Sequence, residues 1–333
     1  MKQTDVRPSV RRRTALGAAL LGGALSLTTG LGAVQAEARP AHHGATGYVA
    51  LGDSYASAPA VPQQTDADCQ RSSGNYPSLL AAAKHARLTD VSCAGATTAQ
   101  LTAAQGTAPA QLDALTRGTR LVTLTIGGND IGFSSDIATC AGLTAGDPAG
   151  SPCRTHFTTG GTDQLAQRIA QTGPKIAQAL RGIRQRAPHA RIAVVGYPDL
   201  FPEDGVGCTS AAVPFAAGDF AYLRDTEKKL NAMLRTEARR HGAVYVDTYA
   251  PSIGHDMCQP SGRRWIETLA PETPAAPAHP NAAGEQAMAR AVGRALDRCG
   301  ARRRRAGHCA YSAPHPARTA PAKPPAIRHL LDR

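Results

Sequence analysis

The strongest constraint on this chain is a set of five short apolar runs, at 48–51, 88–91, 121–126, 192–195 and 244–246. Each is strand-length, and the segments between them carry helical periodicity. These segments are 76–86, 165–186 (Leu165, Ile169, Ile176, Leu180 and Ile183 on one stripe), 220–241 (Leu223, Leu230 and Leu234 together) and 281–299, where Asn281 is a suitable N-cap. Short apolar strands alternating with amphipathic helices predict an α/β fold, a five-stranded parallel sheet between two helical layers. Such sheets bind ligands beyond the carboxyl ends of their strands. The loops there, 55–75, 130–160, 198–216 and 248–280, are long and rich in Gly, Pro and Cys, which reads as ordered, functional loops.

The formal net charge of +12 on 333 residues is concentrated at the ends. Lys2, Arg7, Arg11, Arg12 and Arg13 against Asp5 put +4 on 1–36. Arg302 to Arg305, Arg318, Lys323, Arg328 and Arg333 against Asp332 put +7 on 300–333, which leaves +1 for 37–299. A nearly neutral body argues against a nucleic-acid-binding face. Residues 1–36 read as a secretory signal: a cationic start, an apolar middle holding five glycines, and Val34-Gln35-Ala36 before the cut. The arginine cluster suggests the twin-arginine route. No other stretch has the length and apolarity of an integral membrane span. The segment 300–333, rich in Ala, Pro and Arg, reads as a basic disordered tail. The domain expected between these ends is 37–299.

Eight cysteines stand at 69, 93, 140, 153, 208, 258, 299 and 309, with no C-x-x-C pair among them. An even count in an exported chain reads as disulfides. Sequential pairing gives Cys69–Cys93, Cys140–Cys153, Cys208–Cys258 and Cys299–Cys309, one of the 105 connectivities that eight cysteines allow.

Three clusters follow strand ends: Gly52-Asp53-Ser54, the 92–98 stretch with Gly95, and Gly127-Gly128-Asn129-Asp130. In a parallel sheet these ends line up on one edge, where a serine hydroxyl, a glycine amide and an asparagine side chain can converge. Acyl transfer needs a nucleophile and hydrogen-bond donors aimed at the developing oxyanion. It also needs a base, since a free hydroxyl is a weak nucleophile at neutral pH. His279, on a proline-rich loop before the last helix, is the candidate, and His255-Asp256 is the competing pair. Ser54 also has a helix-capping role open to it. Asp53 and Asp130 are expected to be structural, and Trp265 to pack below the histidine loop. The stretch GDSYA lacks the closing glycine of G-x-S-x-G, and the mature chain has no H-E-x-x-H, Walker loop or strand-linked G-x-G-x-x-G. No metal and no cofactor are expected.

These four blocks in order, GDS with Ser54, CAGATT with Gly95, GGND with Asn129 and HPN with His279, resemble the SGNH or GDSL hydrolases. GHDMC (254–258), RRWIE (263–267) and HPNAAGE (279–285), with the cysteines, are similar above all to the secreted three-disulfide esterases and lipases of actinobacteria. The resemblance covers about 47–299 and implies a three-layer α/β/α sandwich of flavodoxin-like form. It also implies that Ser54 is the nucleophile, that Ser54, Gly95 and Asn129 form the oxyanion hole, and that His279 is the base. One position departs from the pattern: many members carry Asp three residues before the histidine, and here Ala276 stands there. The resemblance then implies a Ser–His dyad whose histidine is oriented by a backbone carbonyl, of Ala276 or Pro277. Asp247, at the end of a strand, is a more remote candidate for that role.

The expected function is a secreted, monomeric serine esterase or lipase acting on a small-molecule or lipid ester. Alternatives are a phospholipase, a carbohydrate O-deacetylase and, in another class, a cell-wall-binding protein with a vestigial site. Aromatic residues make up only 4% of the chain, which disfavours a sugar-stacking groove.

Overall fold

The computed structural model describes residues 47–306, with side chains through Arg298. The expected signal, the chain beyond Ala306 and the expected Cys299–Cys309 pair lie outside the described residues. The chain begins with β1 (Gly47–Gly52), α1 (Ser54–Ser57), the hairpin strands β2 (Gln64–Asp66) and β3 (Arg71–Ser72), α2 (Tyr76–Lys84) and β4 (Arg87–Asp90). It continues with β5 (Leu121–Thr125), α3 (Phe133–Thr144), α4 (Pro152–Thr158), α5 (Gln164–Arg186), β6 (Arg191–Val195), α6 (Phe220–Arg240), β7 (Val244–Val246) and α7 (Ala282–Ala306).

Five strands form one parallel sheet in the order β4-β1-β5-β6-β7. This is the flavodoxin-like arrangement, and the winding reverses between β1 and β5, where such sheets place their ligand crevice. Side chains alternate between the faces. Tyr48, Ala50, Ala193 and Val195 meet Leu80 of α2 and Met288 and Val292 of α7. Val49, Leu51, Val122, Leu124 and Val194 meet Ile176, Leu180, Leu230 and Leu234 of α5 and α6. The result is the expected three-layer α/β/α sandwich. Both faces of the inner strands β1, β5 and β6 are covered, which is why these read as near-continuous apolar runs, whereas the edge strand β4 alternates exposed and half-buried residues. Thr123 and Thr125 are buried on the α2/α7 face, and the hydroxyls of Tyr48 and Tyr76 bond to them, each at 2.8 Å.

The structure adds to the sequence-based layout. The predicted loop 130–160 holds α3 and α4, and the loop 55–75 holds the β2–β3 hairpin. α7 runs to Ala306, so the expected tail boundary at 300 falls inside its last turns, consistent with the good helix propensity of Ala and Arg. Bridges join Cys69 to Cys93, Cys140 to Cys153, and Cys208 to Cys258. Among the described residues no helix is long and apolar enough to cross a membrane.

Candidate active site

β1 ends in a residue that must be glycine. Gly52 has φ +149°, and a Cβ there would lie 2.4 Å from the Thr125 carbonyl of the neighbouring strand. The chain then turns sharply into α1. Asp53 caps this helix by accepting the Tyr55 amide at 3.0 Å, which leaves Ser54, its first residue, free of a capping role. Asp53 also accepts the Tyr197 hydroxyl at 2.5 Å through its other carboxylate oxygen. Tyr197 in turn accepts the Gly128 amide at 2.8 Å. Burial raises the Asp53 carboxyl to about 7, against the opposing hydrogen bonds of Tyr197 and the Tyr55 amide. Asp53 thus couples the β1 loop to the β5 loop. Tyr197 lies just past the end of β6, the same kind of position that singled out Ser54, but the sequence around it carries no motif.

The loops after β4 and β5 are joined directly. The Asn129 side-chain amide donates to the Ala96 carbonyl at 2.9 Å. Asp130 accepts the Thr98 amide at 2.9 Å and the Thr98 hydroxyl at 2.5 Å, with Lys175 at 3.6 Å. The Cys93 amide donates to the Gly52 carbonyl at 3.0 Å, so the Gly95 loop lies against the chain that leads to Ser54. Gly95 itself takes φ +78°, a backbone state that costs glycine little.

Ser54 and His279 meet although 225 residues separate them, with Oγ 2.7 Å from Nε2. The other ring nitrogen, Nδ1, lies 2.7 Å from the Pro277 carbonyl, while the Ala276 carbonyl accepts the His279 backbone amide at 3.2 Å. A carbonyl only accepts, so Nδ1 carries the proton and Nε2 presents its lone pair to the serine hydroxyl. Burial of the ring lowers the His279 pKa, and the Pro277 contact opposes this. The Tyr55 ring packs against the imidazole at 4.9 Å, and its hydroxyl donates to the Ala278 carbonyl at 2.7 Å, which holds Ala278 at φ +58°. A hydroxyl hydrogen-bonded to the free nitrogen of an oriented imidazole is an arrangement for moving the hydroxyl proton to the base.

The loop beneath the histidine rests on a pair that sequence reasoning noted only as part of a signature. Arg264 and Glu267, both buried, form an ion pair at 2.8 Å. Glu267 also accepts the Asn281 side-chain amide at 2.9 Å and the Thr273 hydroxyl at 2.7 Å, and its backbone amide donates to the His279 carbonyl at 2.9 Å. Asn281 caps α7 by accepting the Ala283 amide at 3.0 Å. Burial alone would raise the Glu267 carboxyl, but Arg264, Asn281 and Thr273 outweigh it and hold the group at about 2.

The competing candidates lie elsewhere. His255 bonds through Nδ1 to the Arg263 carbonyl at 2.6 Å and stacks on Trp265 at 3.8 Å. Asp256 accepts the Cys258 amide at 2.9 Å. Asp247 pairs with Arg235 at 3.3 Å and accepts the Ala250 amide at 3.1 Å. The Trp265 carbonyl accepts the Asn281 amide at 2.8 Å, next to the histidine loop.

A cavity of about 630 Å³, its open mouth included, has Ser54 and Asn129 in its wall. The rest of the wall is mostly apolar, with Ile131, Phe133, Ile137, Leu165, Leu200 and Leu223 contributing.

Fold and site together define a hydrolase of the α/β/α class. The family model described as GDSL-like Lipase/Acylhydrolase matches residues 50–287, and the chain belongs to that family. It is 45% identical over 291 residues to Lipase 2 of Streptomyces coelicolor, covering 85% of this chain and 96% of that one. Among solved structures it is similar to the extracellular lipase of Streptomyces rimosus, with a TM-score of 0.63 and 30% identity over 75% of this chain and all of the other. It is also similar to phospholipase A1 of Streptomyces albidoflavus NA297, with a TM-score of 0.60 and 29% identity over 76% of this chain and 99% of that one. The chain is a carboxylic ester hydrolase of the lipase and esterase type.

Proposed function

We propose that the protein is an exported serine lipase or esterase that cleaves acyl esters through a Ser54–His279 dyad. The observation that carries this reading is the 2.7 Å approach of Ser54 Oγ to His279 Nε2, with Nδ1 held at 2.7 Å by the Pro277 carbonyl. In the proposed reaction His279 takes the Ser54 proton as Oγ adds to the ester carbonyl. The amides of Ser54 and Gly95 and the side chain of Asn129 receive the oxyanion. The imidazolium then returns its proton to the departing alcohol, leaving an acyl-serine. Water, deprotonated by His279, releases the acid. The apolar cavity supports a substrate with an acyl chain over an acetylated glycan. The similarity to phospholipase A1 favours phospholipid as a second substrate reading. Three disulfides, the similarity to an extracellular lipase and the composition of 1–36 support export. The basic segment after the domain is proposed to be dispensable for catalysis.

The test uses protein recovered from culture medium, whose N-terminus should be Glu37. Initial rates are measured on p-nitrophenyl esters of two to sixteen carbons beside Ser54→Ala. The variant should lose at least about 10³-fold in kcat. A maximum at medium or long chains is expected. A sharp maximum at acetate would point to a deacetylase, and equal, negligible rates in both proteins would refute the dyad.

A further inference from the structure

The wall of the cavity beside Ser54 holds one buried side-chain oxygen without a hydrogen-bond partner among the described residues. Its other polar members have partners: Tyr197 donates to Asp53 at 2.5 Å, Asp136 pairs with Arg168 at 3.0 Å, and the Thr226 hydroxyl donates to the Tyr222 carbonyl at 2.9 Å. Glu227, 9% exposed, lies on α6 with Leu223 and Leu230 one turn to either side, both also in the wall. Its Oε2 accepts the Leu200 amide at 3.1 Å, while Oε1 is buried with no hydrogen-bond partner among the described residues. Burial first, and then the nearby charge of Asp199, push this carboxyl well above the usual range, toward its protonated form. With Oε2 accepting an N–H, Oε1 is the oxygen that the proton of the neutral form would occupy. The wall of a mostly apolar pocket therefore carries a buried carboxyl oxygen that can donate when protonated and has no partner among the described residues.

We propose that Glu227 makes this pocket selective for acyl chains that carry an oxygen acceptor, a hydroxyl or keto group, along the alkyl chain. The inference rests on Ser54 being the acylated residue. A plain alkyl chain filling the cavity leaves the Glu227 donor unpaired and shielded from water, and a buried unpaired polar group is costly. An oxygenated chain pairs with it. Sites that hydrogen-bond a substrate oxygen discriminate against the analogue lacking it far more strongly than an apolar pocket discriminates one methylene.

The experiment measures kcat/KM of the mature enzyme on p-nitrophenyl decanoate and on its monohydroxy derivatives, with the hydroxyl moved stepwise along the chain. Wild type, Glu227→Gln and Glu227→Leu are compared. In wild type, at least one hydroxylated ester should exceed the plain ester by about tenfold or more. Glu227→Gln, whose carboxamide still donates, should keep the preference. Glu227→Leu should abolish it and raise the rate on plain decanoate. A wild type that hydrolyses all the esters without favouring any hydroxyl position overturns the inference alone, as does a preference that survives in Glu227→Leu. A wild type inert on every ester removes the Ser54 reading and this inference with it. Should Glu227→Leu fail to fold, the wild-type series decides, with Glu227→Gln as the second readout.

Discussion

His279 is oriented by a carbonyl, which fixes the tautomer without supplying a full negative charge. A carboxylate in that place would stabilise the imidazolium and raise its pKa. Here burial lowers it instead. As the proposed base, His279 works only when neutral, so activity should persist further into acid than an unperturbed imidazole allows. The acid limb of kcat/KM against pH should have its midpoint below about 6.5, the ordinary histidine value. A midpoint above that value would mean that a carboxylate governs the ring. Ser54 and His279 stood out in the sequence because each sits in a short block at a strand or helix end, with glycine or proline shaping the backbone beside it. Tyr197 and Glu227 did not, because their importance comes from what other elements place against them. Nothing local distinguishes a tyrosine that bridges Asp53 to Gly128, or a glutamate turned into the core, from ordinary members of a loop and a helix.

At the scale of elements, the histidine reaches the serine because the loop before α7 is pinned by the Arg264–Glu267 pair. Removing one partner of a buried ion pair leaves the other uncompensated and typically costs about 3–5 kcal/mol. Glu267→Gln should therefore destabilise the protein by about 3 kcal/mol at pH 7, and its kcat should fall as the loop loosens. The pH dependence has a definite sign. The folded carboxyl titrates at about 2, below its ordinary value of 4.5, so its contribution is complete above that value and is lost as pH falls toward 2. Urea denaturation of wild type and variant should show a gap that closes between pH 5 and pH 2, and a gap that stays constant would refute the assignment. The five sheet strands and the helices α2, α5, α6 and α7 were legible because burial on one stripe or on both faces imposes a period. α3 and α4 were not, since a segment such as FSSDIATCAGLT has few large apolar residues and is held by packing and a disulfide. The β2–β3 hairpin is too short to show a period at all.

Over the whole molecule, the three bridges tie together the connections that carry or surround the site, and a nearly neutral body sits between two basic ends. The three described bridges follow the cysteine order, but spacing alone could not select them, since the choice depends on which strand ends the fold brings together. The bridges close loops of 50 residues (Cys208–Cys258), 24 residues (Cys69–Cys93) and 13 residues (Cys140–Cys153). Chain entropy then assigns them about 4, 3.5 and 3 kcal/mol, in that order. Activity should follow a different order. The Cys69 carbonyl accepts the Ala94 amide at 3.0 Å, beside Gly95, and the Cys93 amide donates to the Gly52 carbonyl, so that bridge braces the proposed oxyanion loop against the serine turn. Each pair should be replaced by Ser/Ser, with stability read from denaturant midpoints and kcat read below the unfolding transition. Loss of Cys208–Cys258 should cost the most stability, whereas loss of Cys69–Cys93 should cost the most kcat. If both quantities fell in the order of loop length, the Cys69–Cys93 bridge would be a general staple with no particular bearing on the site.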